Sequence, residues 1–111
     1  MGVLIAKDGV QFTVIAPAGF HILAALEFCA DILKHDVTIS SACDGCHSGI
    51  SDPHHEGRAY DVRIHDWDDP TVLLHELQET LGTEKFFAWI EDANTPNAHI
   101  HCQLRHGLTY P

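Results

Sequence analysis

The spacing of apolar residues changes period several times along this chain, and the order of those changes restricts the folds open to it. Over residues 20–34, Ile22, Leu23, Leu26, Cys29, Ala30 and Leu33 recur at helical spacing, while Glu27, Asp31 and Lys34 fall elsewhere on the wheel. That pattern predicts an amphipathic helix. Val72, Leu73, Leu77 and Leu81 form a second stripe. It predicts another helix, with Asp69 as N-cap, Pro70 at the first helical position and Gly82 at its end. Short strand-like segments surround the two helices. Val37-Thr38-Ile39-Ser40 is β-rich, and residues 58–64 put Ala59, Asp61 and Arg63 on one face and Tyr60, Val62 and Ile64 on the other. Residues 86–90 read as a buried strand, and residues 98–104 alternate again, with Ala98, Ile100 and Gln103 free to lie off the face of His99 and His101. Near the start, residues 3–6 and 10–15 flank Lys7-Asp8-Gly9, a turn signal that predicts a small hairpin. Together these elements predict an α+β domain with a mostly antiparallel central sheet and helices packed on one face.

With 111 residues, 45% of them hydrophobic, the chain can furnish one core, so residues 1–111 are expected to form a single domain. Six basic against sixteen acidic side chains give a formal charge of −10. Such a surface repels phosphate backbones and anionic lipid, which argues against nucleic-acid binding, and it suits a bound cation. No apolar run approaches the roughly 20 residues that a membrane helix needs. The first residues lack a basic segment leading into an apolar one, so no signal peptide is expected and synthesis is expected to be cytoplasmic. The four cysteines are therefore expected to be reduced, and a monomer is expected.

Ten histidines are present, and histidine is the commonest metal ligand. Residues 41–57 have no apolar periodicity and are rich in Gly, Ser, Asp, Pro and His, a composition that suits a functional loop. Three features stand together in this reading: the run from His54 to Asp61, the pair His99-Ile100-His101, and the carboxylates Glu91-Asp92. Gly57 would let the chain turn tightly into the strand that carries Asp61. His99 and His101, two apart, share one strand face. Two histidines and one carboxylate are an open zinc set that keeps a position for water, and a nearby Glu91 or Asp92 could move the water's proton to a leaving amine. A scatter of surface and packing histidines fits the same spacings, so spacing alone leaves both readings open. Cys43-x-x-Cys46 fits incidental thiols, a second metal site with Cys102 or a histidine, or a redox pair. Cys29 is expected in the core, and Trp67 and Trp89 in the core or a groove wall. His21, His35, His65, His75 and His106 are expected to be surface or packing residues.

The motif His54, Gly57, Ala59, Asp61, followed by Ala98-His99-Ile100-His101-Cys102, resembles the zinc D-Ala-D-Ala carboxypeptidase superfamily. That group includes D-Ala-D-Ala dipeptidases, phage endolysins and the hedgehog signalling domain. The resemblance covers roughly residues 37–105, and the second motif is most similar to hedgehog. It implies zinc on His54, Asp61 and His101, with His99 and His47 as donors to a transition-state oxygen. It further implies hydrolysis of amide bonds in the stem or cross-link peptides of bacterial peptidoglycan, and by analogy a phage or prophage component released on lysis. Its other implication is a catalytically weak, zinc-stabilised binding module like the hedgehog domain. The sequence departs from the family pattern at two points. The general-base carboxylate usually lies about three residues before the last ligand, where this chain has Ala98; Glu91, with Asp92 second, is the expected base. No Arg or Lys occurs over residues 40–53 to hold a substrate carboxylate, which favours an endopeptidase over a strict carboxypeptidase. Asp44 matches an acidic loop position that binds calcium in hedgehog, but one carboxylate is too few for that ion.

Overall fold

A computed structural model describes residues 2–42, 57–105, 107–108 and 110. The elements run β1 (Leu4–Ala6), α1 (Pro17–Leu33), β2 (Val37–Ser41), β3 (Ala59–Arg63), α2 (Pro70–Leu81), β4 (Phe86–Glu91) and β5 (His99–Leu104). They form an α+β structure with one five-stranded mixed sheet in the order β1-β2-β3-β5-β4. Three of the four strand pairs are antiparallel, and β1 runs parallel to β2.

Both helices begin and end as their local chemistry dictates. Pro17 opens α1, where its fixed φ and missing N–H cost nothing, so the helix starts three residues before its apolar stripe. Lys34 closes it in the left-handed conformation. Asp69 caps α2 by accepting from the Thr71 amide at 3.1 Å and its hydroxyl at 2.6 Å; Pro70 follows, and Gly82 ends the helix at φ 75°. The helices meet over one face of the sheet. Ile22, Leu26 and Cys29 of α1 and Leu73 and Leu77 of α2 bury against Ile39, Val62, Phe86, Ile100 and Leu104. The odd-numbered residues of β3 and β5 face the other way, and that second face carries the polar side chains.

The expected N-terminal hairpin does not form. Asp8-Gly9 makes a turn, with the Val10 amide donating to the Lys7 carbonyl at 3.1 Å, yet residues 10–15 contain no strand. Leu4–Ala6 pairs in parallel with Val37–Ile39 instead. A parallel partner needs a long crossover, normally a helix, and α1 supplies it. Val10 and Phe12 then pack on the core, Phe12 with its ring centroid 6.0 Å from that of Tyr60.

Gly57 joins α1 to β3. Its carbonyl accepts from the Ala16 amide and the Tyr60 hydroxyl, each at 3.3 Å. Its φ is +71°, and a Cβ there would strike the Val14 carbonyl. Gly57→Ala should therefore destabilise the protein by at least about 2 kcal/mol, read as a lower midpoint in urea unfolding. His35 makes a second junction. Its Nδ1 lies 2.7 Å from the Asp36 carbonyl, its Nε2 lies 3.0 Å from the Asp66 carbonyl, and its ring stacks on Trp67 at 3.8 Å. Two carbonyl acceptors favour the doubly protonated ring. The Asp36 carbonyl first, then the Asp66 carbonyl and the two carboxylates, raise its pKa against a smaller opposing effect of burial. The resulting stabilisation is complete below the unfolded value and is lost as pH rises through the folded one. His35→Phe, which keeps the stack, should lose less stability than wild type between about pH 6 and about pH 8.5 in melts across that range.

Candidate metal centre

Strand alternation and register assemble the site on the sheet face away from the helices. In β3 and β5, Asp61 lies opposite His101 and Arg63 opposite His99; in β4 and β5, Glu91 lies opposite His99 and Trp89 opposite His101. Because β5 runs between β3 and β4, its two histidines are flanked by a carboxylate on each side. Four ligand-type atoms converge. Asp61 Oδ1 is 3.0 Å from His101 Nδ1 and 3.6 Å from His99 Nε2. Glu91 Oε1 is 3.0 Å from His99 Nε2 and 3.9 Å from His101 Nδ1. Within this group Asp61, Glu91 and His99 each offer a ligand atom, all within 4.8 Å of one another.

The electrostatics of this arrangement call for positive charge. Asp61 and His101 are buried, and two carboxylates this close in a half-buried site repel unless a proton or a cation sits between them. Burial alone would lower the pKa of both histidines. It is outweighed at His99 by the Asn97 carbonyl, Asp61 and Glu91, and at His101 by hydrogen bonds to Asp61 and Gln103, so both are raised. His99 is also oriented as a ligand would be. Its Nδ1 donates to the Asn97 carbonyl at 2.6 Å, which directs the Nε2 lone pair at the carboxylates. Donors bound at about 2.0–2.2 Å around a tetrahedral ion stand about 3.3–3.6 Å apart, and the observed separations bracket that spacing. Asp61, Glu91 and His99 thus form a triad of two carboxylates and one nitrogen that fits a divalent cation, with His101 Nδ1 next to Asp61.

The structure brings together four of the six residues singled out in the sequence: Asp61, Glu91, His99 and His101. His54 and His47 lie outside the described residues, as do Asp44, Cys43 and Cys46. Both base candidates line one cleft, from different places in the fold. Glu91 ends β4 and reaches His99, whereas Asp92 enters the β4–β5 turn at φ +53°. Cys102 is fully buried on the helix side, facing away from the site, and burial raises its thiol pKa. Cys29 is likewise in the core, its pKa pushed up to about 11.

Other residues at the site were not anticipated. Gln103 falls on the histidine face, two places beyond His101, as strict alternation requires, and its Oε1 lies 2.7 Å from His101 Nε2. A cleft of about 610 Å³ opens over Asp61, Glu91 and His99 and is also lined by Lys7, Ser40, Arg63 and His65. Lys7 and Arg63 thus bring positive charge that residues 40–53 lack. Beside the cleft, Phe87 and Trp89 stack at 4.3 Å, and Trp89 packs 4.8 Å from the His101 ring. No protein-family model, curated protein or solved structure matches this chain.

The purified protein should bind one divalent ion per chain, and saturation at 100 times the dissociation constant should add about 2.7 kcal/mol of stability. Asp61→Asn should weaken that binding at least about tenfold. Competition against a chromophoric chelator and thermal melts with and without metal measure both effects; a melt indifferent to metal would refute the site.

Proposed function

We propose that this chain is a zinc-dependent peptidase of the D-Ala-D-Ala carboxypeptidase and hedgehog type, acting on amide bonds in peptidoglycan peptides. The observation that carries the reading is that Asp61, Glu91 and His99 come together in the wall of an open cleft, with His101 Nδ1 beside them at 3.0 Å from Asp61 Oδ1. In this reading Asp61 and His101 hold zinc, with His54 as the expected third ligand. When bound, the ion supplies a Lewis acid that polarises the scissile carbonyl and lowers the pKa of water toward neutrality.

The remaining work falls to the chain's own side chains. Glu91 is the more exposed of the two carboxylates, 36% against 9% for Asp61, and it stands at the cleft. It accepts the proton of the attacking water and returns it to the departing amine. In this reading His99 is doubly protonated, as its raised pKa favours: Nδ1–H donates to the Asn97 carbonyl, and Nε2–H, which faces Glu91, donates to the oxygen that gains charge, with His47 as the expected second donor. Lys7 and Arg63 form no ion pair among the described residues and line the same cleft. They suit a peptide that carries a free carboxylate, as wall stem peptides do. A phage or prophage source, with release at lysis, accompanies this reading by analogy.

A second reading rests on the same atoms. Asp61, Glu91 and His99 can themselves form a ligand triad. If Glu91 is consumed as a ligand, it no longer serves as base, and the chain is a metal-stabilised binding module. Glu91→Gln separates the two. As the base, it should keep its zinc and lose at least about 1000-fold in cleavage of purified peptidoglycan, followed by mass analysis of released muropeptides. Loss of zinc from the variant, or no cleavage by wild type of any muropeptide offered, would favour the module.

A further inference from the structure

We infer that Gln103 is a positioning residue whose side-chain amide decides which nitrogen of His101 is presented to the metal centre. The inference rests on the metal-site reading above and goes beyond it in assigning a role to a residue outside the ligand set. Gln103 is 4% exposed and lies on β5 two places after His101, on the same face. Its Nε2 donates to the Leu104 carbonyl at 3.0 Å. That contact fixes the orientation of the amide, because the opposite orientation would set two oxygens against each other. Oε1 therefore meets His101 Nε2, at 2.7 Å.

An amide oxygen carries no proton, so His101 Nε2 must be the donor. In the neutral ring the lone pair is then confined to Nδ1, which faces Asp61 Oδ1 at 3.0 Å and Glu91 Oε1 at 3.9 Å. A lone pair held against a carboxylate is unfavourable by itself, and a cation between them reverses the sign. Trp89, across the strand and 4.8 Å away, packs against the ring. His99 is oriented through its other nitrogen: the Asn97 backbone carbonyl takes Nδ1, and Nε2 faces the carboxylates. Two histidines on one strand face thus turn opposite ring nitrogens toward the same two carboxylates. A backbone carbonyl cannot be substituted, whereas Gln103 can, and this makes the inference testable.

Gln103→Leu removes the acceptor at similar volume, and Gln103→Glu keeps an oxygen in place. Zinc and cobalt(II) affinities are measured by chelator competition. Long-range ¹H–¹⁵N spectra of the zinc-loaded protein report which His101 nitrogen is protonated. The leucine variant should bind either ion about 10–100-fold more weakly and lose the signature of a protonated Nε2. The glutamate variant should stay near wild type in both. A merely structural role for Gln103 would alter melting without moving the histidine signals. If the leucine variant does not fold, Gln103→Asn, one methylene too short to reach the ring, takes its place. Wild-type affinity with an unchanged His101 signature in the leucine or asparagine variant overturns the inference and leaves the metal centre standing. Failure of wild type to bind either ion overturns both.

Discussion

The antiparallel register that sets Asp61 opposite His101 is the constraint on which the site depends. Side chains on a strand alternate, so a slip of one residue between β3 and β5 would send Asp61 to the helix side and bring Tyr60 or Val62 to the histidines. The core prevents that slip. Tyr60 and Val62 on β3 and Ile100 and Cys102 on β5 are fully buried under the helices. Their burial would be lost with any change of register, and each large apolar side chain contributes on the order of 1.5–3 kcal/mol. The apolar face therefore specifies the polar one, although none of its residues touches the cleft.

This division explains how an acidic chain can hold two carboxylates close together. Asp61 and Glu91 come from different strands, and neither could relocate without moving a strand that is anchored on its other side. Their repulsion is absorbed by a rigid sheet and relieved by positive charge, from protonated imidazole when no ion is bound. The raised basicity of His99 and His101 is the visible sign of that demand. Lys7 and Arg63 line the same cleft and face Asp61, Glu91 and Asp92, so two cations stand beside the candidate centre in a molecule of charge −10.

What the sequence disclosed divides along physical lines. Both helices and the strands from Val37 onward were legible because each is a local pattern: a period, a cap, a proline, a glycine. The pairing of Leu4–Ala6 was not, since a parallel partner more than thirty residues away leaves no local mark; only the strand–helix–strand order hinted at it. At the site, Asp61, His99 and His101 were legible from alternation and motif. Gln103 was expected off the histidine face with Ala98 and Ile100, but the strand stays regular, and strict alternation puts it on that face beside His101. Lys7 and Arg63 lie outside residues 40–53, where a cation for the substrate carboxylate was expected: Lys7 follows β1, and Arg63 stands two places beyond Asp61 on β3.

Glu91 shows why distance along the chain misleads about distance in space. It precedes His101 by ten residues, and spacing alone does not bring it to the histidines. In the fold the intervening residues form the β4–β5 turn. Asp92 and Asn94 adopt positive φ, and Thr95 ties the turn together, its hydroxyl donating to the Asp92 carbonyl at 2.6 Å and accepting from the Asn97 amide at 3.2 Å. The turn closes on itself, so its length does not propagate into the strands. Glu91 stays in register with His99, and the same turn delivers the Asn97 carbonyl that orients the His99 ring. The segment that separates Glu91 from the histidines along the chain is thus the one that holds His99 in place.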